Sequence, residues 1–480
     1  MISWIQVVVV LEFMIGNTGN VMASESVSRE MLSIRCGANP WKKAPWFDKL
    51  NQQPIRGVNL GGHFVLEPWI TPDLLDISTS IDGDKKIVDQ YTFSLYCNVT
   101  DSCHRMQDHW DKFYVQEDFD LMKEYNLNTV RVPVGYWYFS ELSGFPTGPF
   151  ILPNVSILSP THPITKVIRM ADNAGLQVIL DLHGAPGSQN GFDNSGQAAN
   201  VNQSDADWGT GWLNDTQNVQ GTVDTTAAMA TYIGHLETVL GIWNVMAIEV
   251  LNEPYVNLEL AAVHDFYLTA MNALRVKHGN IPIILHDSFR LSEWGSLLDH
   301  IPHRHVYMDD HNYFAFMFQK ESDLEEDKDL QGLFSRMICN MKPGFHTASC
   351  KTAPVLVGEW SLAINNCMER LDARFEDIGQ CTHMEDRLES QWWKENVRDF
   401  ALRQMEVYES GLGWVFWNWK LDSTASLDPS APYWSFLLAV KHGFIDTKAY
   451  GEKKCDFSSV QGGEVEGERE REKENDDEVG

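Results

Sequence analysis

Short apolar runs alternate with longer amphipathic stretches along most of this chain. IRGVNL (55–60), LNTVRVPV (127–134), LQVILDL (176–182), VMAIEVL (245–251), IPIILH (281–286), HVYMDDH (305–311), PVLVGEW (354–360) and LGWVFWNW (412–419) read as strands. Most are too continuously apolar for a sheet with one wet face, so helices must cover them. Helical patterns fall between several of them, near 116–125, 162–174, 225–240, 260–278 and 388–409. Strands in repeated β–α order predict an α/β fold closed as a TIM (β/α)8 barrel rather than an open sheet. Two insertions, roughly 61–115 and 184–224, predict long loops at the C-terminal face, where they would wall a cleft or pocket. No G-x-G-x-x-G follows the first strand, which argues against a dinucleotide-binding sheet.

The flanks differ from this body. Residues 1–24 hold an apolar segment followed by small residues near Ala23. They resemble a secretory signal, although the basic n-region is missing. A single domain is expected over 25–455, and 456–480 form an acidic tail without aromatics that cannot bury a core. Eight Cys without a CxxC pair point to disulfides in an oxidising compartment rather than to structural zinc. Cys97 with Cys103, and Cys339 with Cys350, are local pairings to test. Four N-x-S/T triplets, at Asn98, Asn154, Asn202 and Asn214, agree with an extracellular or cell-wall location. No later stretch is long and apolar enough for a transmembrane anchor.

Charge narrows the partners. A formal net charge of −30 without a basic block excludes nucleic acid, whose binding needs Lys and Arg on phosphates. A neutral ligand suits this field better than an anionic one. The 17 Trp exceed what a core requires, and exposed indole faces would cover the apolar faces of sugars.

Polar groups gather where the strands stop: Arg131, His183, Asn252 with Glu253, His311 with Tyr313, Glu359 and Trp417. A barrel brings such ends to one face, where its chemistry lies. Two carboxyl groups suffice to cleave a glycosidic bond, one protonating the leaving oxygen and the other attacking the anomeric carbon or activating water. Glu253 and Glu359 face each other across such a barrel. Asn252 is placed to bind a sugar 2-OH, Arg131 to keep Glu359 ionised, Tyr313 to donate to Glu359, and Trp417 to floor the ring. A metal centre on His183, His311 and the carboxylates is the competing reading. It lacks H-E-x-x-H or a comparable spacing, so neither metal nor cofactor is expected.

The segments IRGVNLGGHFVLEPWI, VRVPVGYW, DLHGAPGSQNGFDNSG, IEVLNEP, DHNYFAF, VGEWS and VFWNWK resemble glycoside hydrolase family 5, and within it the fungal-type exo-β-1,3-glucanases. The resemblance implies that Glu253 is the acid/base and Glu359 the nucleophile. It implies substrate-binding roles for Arg131, His183, Asn252, His311, Tyr313 and Trp417. It adds Glu67 as a carboxylate gripping the terminal glucose, with Phe192 and Phe316 as rings clamping the sugar chain at the entrance. The implied activity is release of glucose from non-reducing ends of β-1,3-glucan, with retention; a β-glucan polysaccharide or oligosaccharide is then the expected partner and a monomer the expected state. Alternatives are a β-1,6-glucanase or broad β-glucosidase, a transglycosylase, and a non-catalytic glucan-binding wall protein. The chain departs from the family pattern at His63, where GGW becomes GGH, and after Lys420, where W-K-T-E becomes W-K-L-D. Both changes are expected near the pocket wall.

Overall fold

The computed structural model describes residues 45–455 except 47, 76–86, 98–102, 199–210, 296–304, 317–336, 343, 346–352 and 372–383. The segments 1–24 and 456–480, Cys350, and the sequons at Asn98 and Asn202 lie outside the described residues.

Eight parallel strands close into a barrel in chain order. They are β1 Ile55–Asn59, β2 Thr129–Gly135, β3 Gln177–Gly184, β4 Val245–Glu249, β5 Ile283–His286, β6 Val306–Asn312, β7 Val355–Trp360 and β8 Gly413–Phe416. The expected α/β TIM barrel is therefore the fold. Some strand ends move: β4 stops at Glu249 and β8 at Phe416, so Trp417 follows its strand rather than lying in it. Helices Gln116–Glu124, Pro163–Asn173, Leu260–Lys277 and Gln391–Tyr408 match the amphipathic patterns closely. The helix expected from 225 begins earlier, at Thr216, where the Asp215 side chain accepts from the amide of Gln217. Its first turns, TQNVQGTV, are rich in poor helix formers and read as loop; the cap and tertiary packing override that propensity.

The barrel interior is layered, because side chains on one strand alternate faces. Its lower layer is apolar, with Ile55, Ile179, Ala247, Ile284, Tyr307, Leu356 and Val415 in one buried cluster that Trp46 and Leu50 join. Two residues further along the same strands, this inward row turns polar: Asp181 on β3, Glu249 on β4, His286 on β5 and Asp309 on β6, all fully buried. The apolar layer thus supports an ionic layer, and the mouth of the barrel lies above it. Gly358 on β7 is required here. A Cβ on it would meet the Asp309 carboxylate at 2.0 Å, and its amide donates to that carboxylate at 2.6 Å.

Two disulfides join described residues. Cys97–Cys103 is the local bridge expected. Cys339 pairs with Cys455 instead of Cys350, tying the end of the described chain back to the segment after β6. Most tryptophans pack in the interior: Trp137, Trp212, Trp294, Trp360, Trp414, Trp419 and Trp434 are fully buried. Among the described residues, Trp243 and Trp392 are the exposed ones. The surplus of indole rings is thus largely a matter of packing between barrel and loops.

Candidate active site

Arg131 organises the mouth of the barrel from below. Its five N–H groups are all taken. Nε and Nη2 form a fork on Glu249 at 2.6 and 2.9 Å, and Nη1 reaches Asn59 Oδ1 at 3.0 Å. The remaining two hold Glu359 Oε1 at 2.8 Å and Asn252 Oδ1 at 2.7 Å. Arg131 is fully buried and lies beside Glu359, as expected. It fixes Glu359 and Asn252 and has no donor left for a ligand.

Glu253 and Glu359 meet at His311. Its Nδ1 lies 2.8 Å from Glu253 Oε1 and 3.4 Å from Glu359 Oε2. Both oxygens thus lie within hydrogen-bonding reach of one nitrogen, an approach compatible with the closely spaced carboxyl pair of retaining glycosidases. Asn194 Nδ2 donates to the other Glu253 oxygen at 3.1 Å, and Tyr313 Oη donates to Glu359 Oε2 at 2.8 Å. Glu253 itself has a left-handed backbone, φ +44°. Such strain in a non-glycine residue persists only where its surroundings hold it.

Protons are distributed unevenly over these groups. Burial opposes a charge on His311, but Glu359, Asp309 and Glu253 outweigh it and hold its pKa well above the ordinary value. Burial also opposes a charge on Glu253, and there the hydrogen bond and charge of His311 win, so its pKa is lowered. On Glu359 burial prevails over His311 and Arg131, and its pKa is raised. Arg131 pulls in the expected direction, but it is shared with Glu249 and Asp181 and does not by itself keep Glu359 ionised. Burial drives those two neighbours up against the pull of Arg131, Glu249 to about 8 and Asp181 to about 7.

Other groups expected at the site present polar atoms without protein partners. His183 binds Asp181 through Nδ1 at 2.7 Å, and burial holds its pKa down at about 3. The neutral ring donates from Nδ1, which leaves Nε2 as an unpaired acceptor. Asn252 Nδ2 is an unpaired donor, and Glu67 Oε1 is unpaired while its Oε2 accepts from Trp69 at 2.9 Å. Buried polar atoms are rarely left unpaired, so several around one mouth mark a polar ligand's place. The indole of Trp417 lies parallel to the His183 ring, 5.4 Å between centroids. Gly61 permits this, since a Cβ there would lie 2.9 Å from that indole. Phe192 and Phe316 are half-buried and meet Tyr255 and Tyr313 edge-on.

Of the departures, Leu421 is buried and Asp422 donates its amide to the Ile70 carbonyl at 2.9 Å and accepts from the Asp73 amide at 2.8 Å, next to the segment that carries Glu67. The fully buried His63 ring packs among Phe64, His109 and Tyr114. Lys420 binds Asp118 at 2.6 Å beneath the Phe113 and Tyr114 rings.

Among the described residues, two buried groups have metal-ligand chemistry: Glu253 with His286 and His311, and Glu249 with Asp309 and His311. Neither donor set suits an ion. His286 Nδ1 accepts the amide of Ser288 at 3.0 Å, so its proton resides on Nε2 and neither nitrogen offers a free lone pair. Glu249 is engaged on both oxygens by Arg131. Asn59, Asp181, Glu249, Asn194, Asp309 and His286 went unnoticed in the sequence. For the strand residues the signal was there, as polar positions at period two inside apolar runs.

A closed parallel barrel whose mouth gathers two buried glutamates about one histidine, among unpaired donors and acceptors, belongs to the barrel glycosidases. The chain is a member of glycosyl hydrolase family 5, whose cellulase family model matches residues 88–423. It is 30% identical over 394 residues to the probable glucan 1,3-beta-glucosidase A of Emericella nidulans, covering 78% of this chain and 87% of that one. It is 31% identical over 425 residues to the glucan 1,3-beta-glucosidase of Blumeria graminis, covering 82% and 87%. Among solved structures, the rutinosidase from Aspergillus niger is alike in fold, with a TM-score of 0.59 and 16% identity over 82% of this chain and 99% of that one.

Proposed function

We propose that this glycosidase removes glucose from non-reducing ends of a β-1,3-glucan with retention, using Glu359 as nucleophile and Glu253 as acid/base. The observation that carries the reading is the approach of both glutamates to one nitrogen of His311, at 2.8 and 3.4 Å. Retaining enzymes hold their two carboxyl groups about 5–5.5 Å apart, and a shared approach to one nitrogen supports such a pair. In the first step a Glu359 oxygen bonds to the anomeric carbon as the bond to the leaving oxygen breaks, and a proton passes from Glu253 to that oxygen. In the second, Glu253 takes a proton from water as the water oxygen bonds to the anomeric carbon and releases Glu359.

The acidity order of the free site fits this cycle once the three groups are counted together. Ionised Glu253 with protonated His311 holds the same single proton as protonated Glu253 with neutral His311. The two forms differ by a transfer along one 2.8 Å hydrogen bond. Arg131 and Tyr313 steady Glu359 as the anion in both. Asn252 Nδ2, His183 Nε2 and Glu67 Oε1 supply a donor and two acceptors for sugar hydroxyls, with Trp417 under the ring. The names of the curated relatives support the β-1,3 linkage, and the buried segment 61–71 carrying Glu67 supports a pocket closed for exo attack.

A secreted single-domain enzyme with a signal at 1–24 and a tail at 456–480 remains part of the proposal. Its support is the two disulfides and the exposed sequon residues Asn154 and Asn214. Among the described residues no helix is long and apolar enough to cross a membrane. The test of substrate is a time-resolved product profile on linear β-1,3- and β-1,6-linked oligosaccharides. Glucose from the outset, with faster attack on the β-1,3 series, is expected. Mixed short oligomers or a β-1,6 preference would refute it, and products longer than the substrate would reveal sugar transfer.

A further inference from the structure

Asp309 and His311 stand two residues apart on β6, both buried, and the register against β7 shifts between Asp310 and His311. Asp310 pairs with Val357 and His311 with Glu359, so Gly358 is passed over. The extra residue of such a bulge is left out of the ladder, and the strand re-aims its side chains. The Gly358 amide donates instead to Asp309 Oδ1 at 2.6 Å, and the missing Cβ leaves room for that carboxylate. Asp309 Oδ2 then lies 3.4 Å from His311 Nε2, and neither atom has a hydrogen-bond partner in the protein.

His311 thus has acids on both edges of its ring, Glu253 and Glu359 at Nδ1 and Asp309 at Nε2. The other charged groups nearby are otherwise engaged. Arg131 holds Glu249 on both oxygens and meets Asp181 at 3.2 Å. Burial pushes Asp287 and Asp310 up from the ordinary carboxylate value, towards the neutral acid. It also holds His183 and His286 down, so both rings stay uncharged. Among the described residues, the contact with His311 is the one ion pair that Asp309 makes.

We propose that Asp309 is a positioning residue for acid catalysis, the counter-ion that holds a proton on His311 beside the acid/base. An anion at Nε2 favours the imidazolium, whose Nδ1–H is then directed at Glu253. The His311–Glu253 pair keeps its single proton to higher pH for that reason. The proton moves from His311 Nδ1 to a Glu253 oxygen and then to the leaving oxygen, and Asp309 itself exchanges none. This proposal rests on Glu253 being the acid/base.

The test is the pH profile of Asp309→Asn, whose amide oxygen can still accept from Gly358 but carries no charge. On a β-1,3-linked glucose disaccharide, kcat/KM should decline on the alkaline side as the pair loses its proton. In the variant that limb should move to lower pH by about 1–3 pH units, the effect of one opposite charge at such range. At a fixed pH on the limb this is a loss of at least about tenfold, with a smaller loss on the plateau. A dinitrophenyl β-glucoside, whose leaving group needs no acid, should show no such movement. A limb that stays in place, with activity unchanged or lowered evenly at every pH, would overturn the proposal. Should the variant not fold, nitrogen-15 NMR of the His311 ring in the unaltered enzyme decides. An imidazolium at neutral pH is expected there, and a neutral ring would overturn the proposal. Glu253→Gln separates the two readings. If it loses equally on both substrates, the acid/base assignment fails; if it is selective for the disaccharide while the limb of Asp309→Asn stays, only the role of Asp309 fails.

Discussion

Nδ1 of His311 lies 2.8 Å from Oε1 of Glu253, inside a site where the ring is fully buried. The same nitrogen is 3.4 Å from Glu359, so one imidazole links the groups that must exchange a proton and make a bond. Below them Arg131 spends every donor on protein, two on Glu249 and one each on Asn59, Glu359 and Asn252. The site is a proton-sharing trio resting on a fixed cation, and its expected behaviour follows from that arrangement.

Removing either glutamate should stop turnover in a distinguishable way. Glu359→Ala and Glu253→Ala are each expected to lower kcat/KM on oligosaccharides by at least about a thousandfold, within the range for loss of an acid–base group or nucleophile. With azide and an activated aryl glucoside, Glu359→Ala should form the α-glucosyl azide and Glu253→Ala the β-glucosyl azide. NMR of the products reads both, and the opposite anomers would exchange the two roles.

The acid limb of the pH profile should lie above the ordinary carboxylate range. Burial raises Glu359 despite His311 and Arg131, so the nucleophile takes up a proton at higher pH than a free Glu does. Activity in kcat/KM is therefore lost on acidification before the pH reaches about 4.3, the value for an unperturbed Glu. An acid limb at or below that value would contradict the burial argument.

Stability should peak near neutrality and fall on both sides. Glu249 at about 8 and Asp181 at about 7 keep protons that the unfolded chain has already released, so their contribution is complete at low pH and lost as pH rises through 7 to 8. Burial depresses His109 and His162 to about 4 and His183 to about 3. These contribute fully above the unfolded histidine value of about 6.5, and their contribution is lost as pH falls from there. Thermal unfolding measured from pH 4 to pH 9 checks this, and a Tm still rising above pH 8 would contradict it.

The Cys339–Cys455 bridge closes a loop with a sequence separation of 116 residues. Replacing both cysteines by Ser should cost about 2–5 kcal/mol of stability, chiefly by releasing the unfolded chain. The midpoint of denaturant unfolding under oxidising conditions measures it. An unchanged midpoint would show that the two segments are held without the bond.

The strands were legible because a barrel buried on both faces leaves nearly unbroken apolar runs, as in VMAIEVL and LQVILDL. The start of the helix at Thr216 was not, since an Asp cap and packing there override a run of weak helix formers. The Cys339–Cys455 pair was hidden because spacing favours near partners, whereas the fold brings distant ones together. Glu253 and Glu359 stood out at strand ends, and structure and sequence place them at the same mouth. Arg131 was found beside Glu359, but a sequence does not reveal that all five of its donors meet protein groups. Asp181, Glu249 and Asp309 were passed over although each interrupts an apolar strand on its inward row. A buried charge in such a run is costly without a partner, which makes it a sign of the ionic layer. His63 and the Leu421–Asp422 change drew attention to the pocket wall, and the structure sets His63 against Tyr114 and Asp422 against Ile70 and Asp73.

The most direct test of the central claim is to find where the sugar is bonded during the reaction. Incubation with dinitrophenyl 2-deoxy-2-fluoro-β-glucoside, which slows release of the intermediate, followed by peptide mass mapping locates the bond. A fluoroglucosyl group on Glu359 is the expected result. The same group on Glu253 or on another residue would contradict the account.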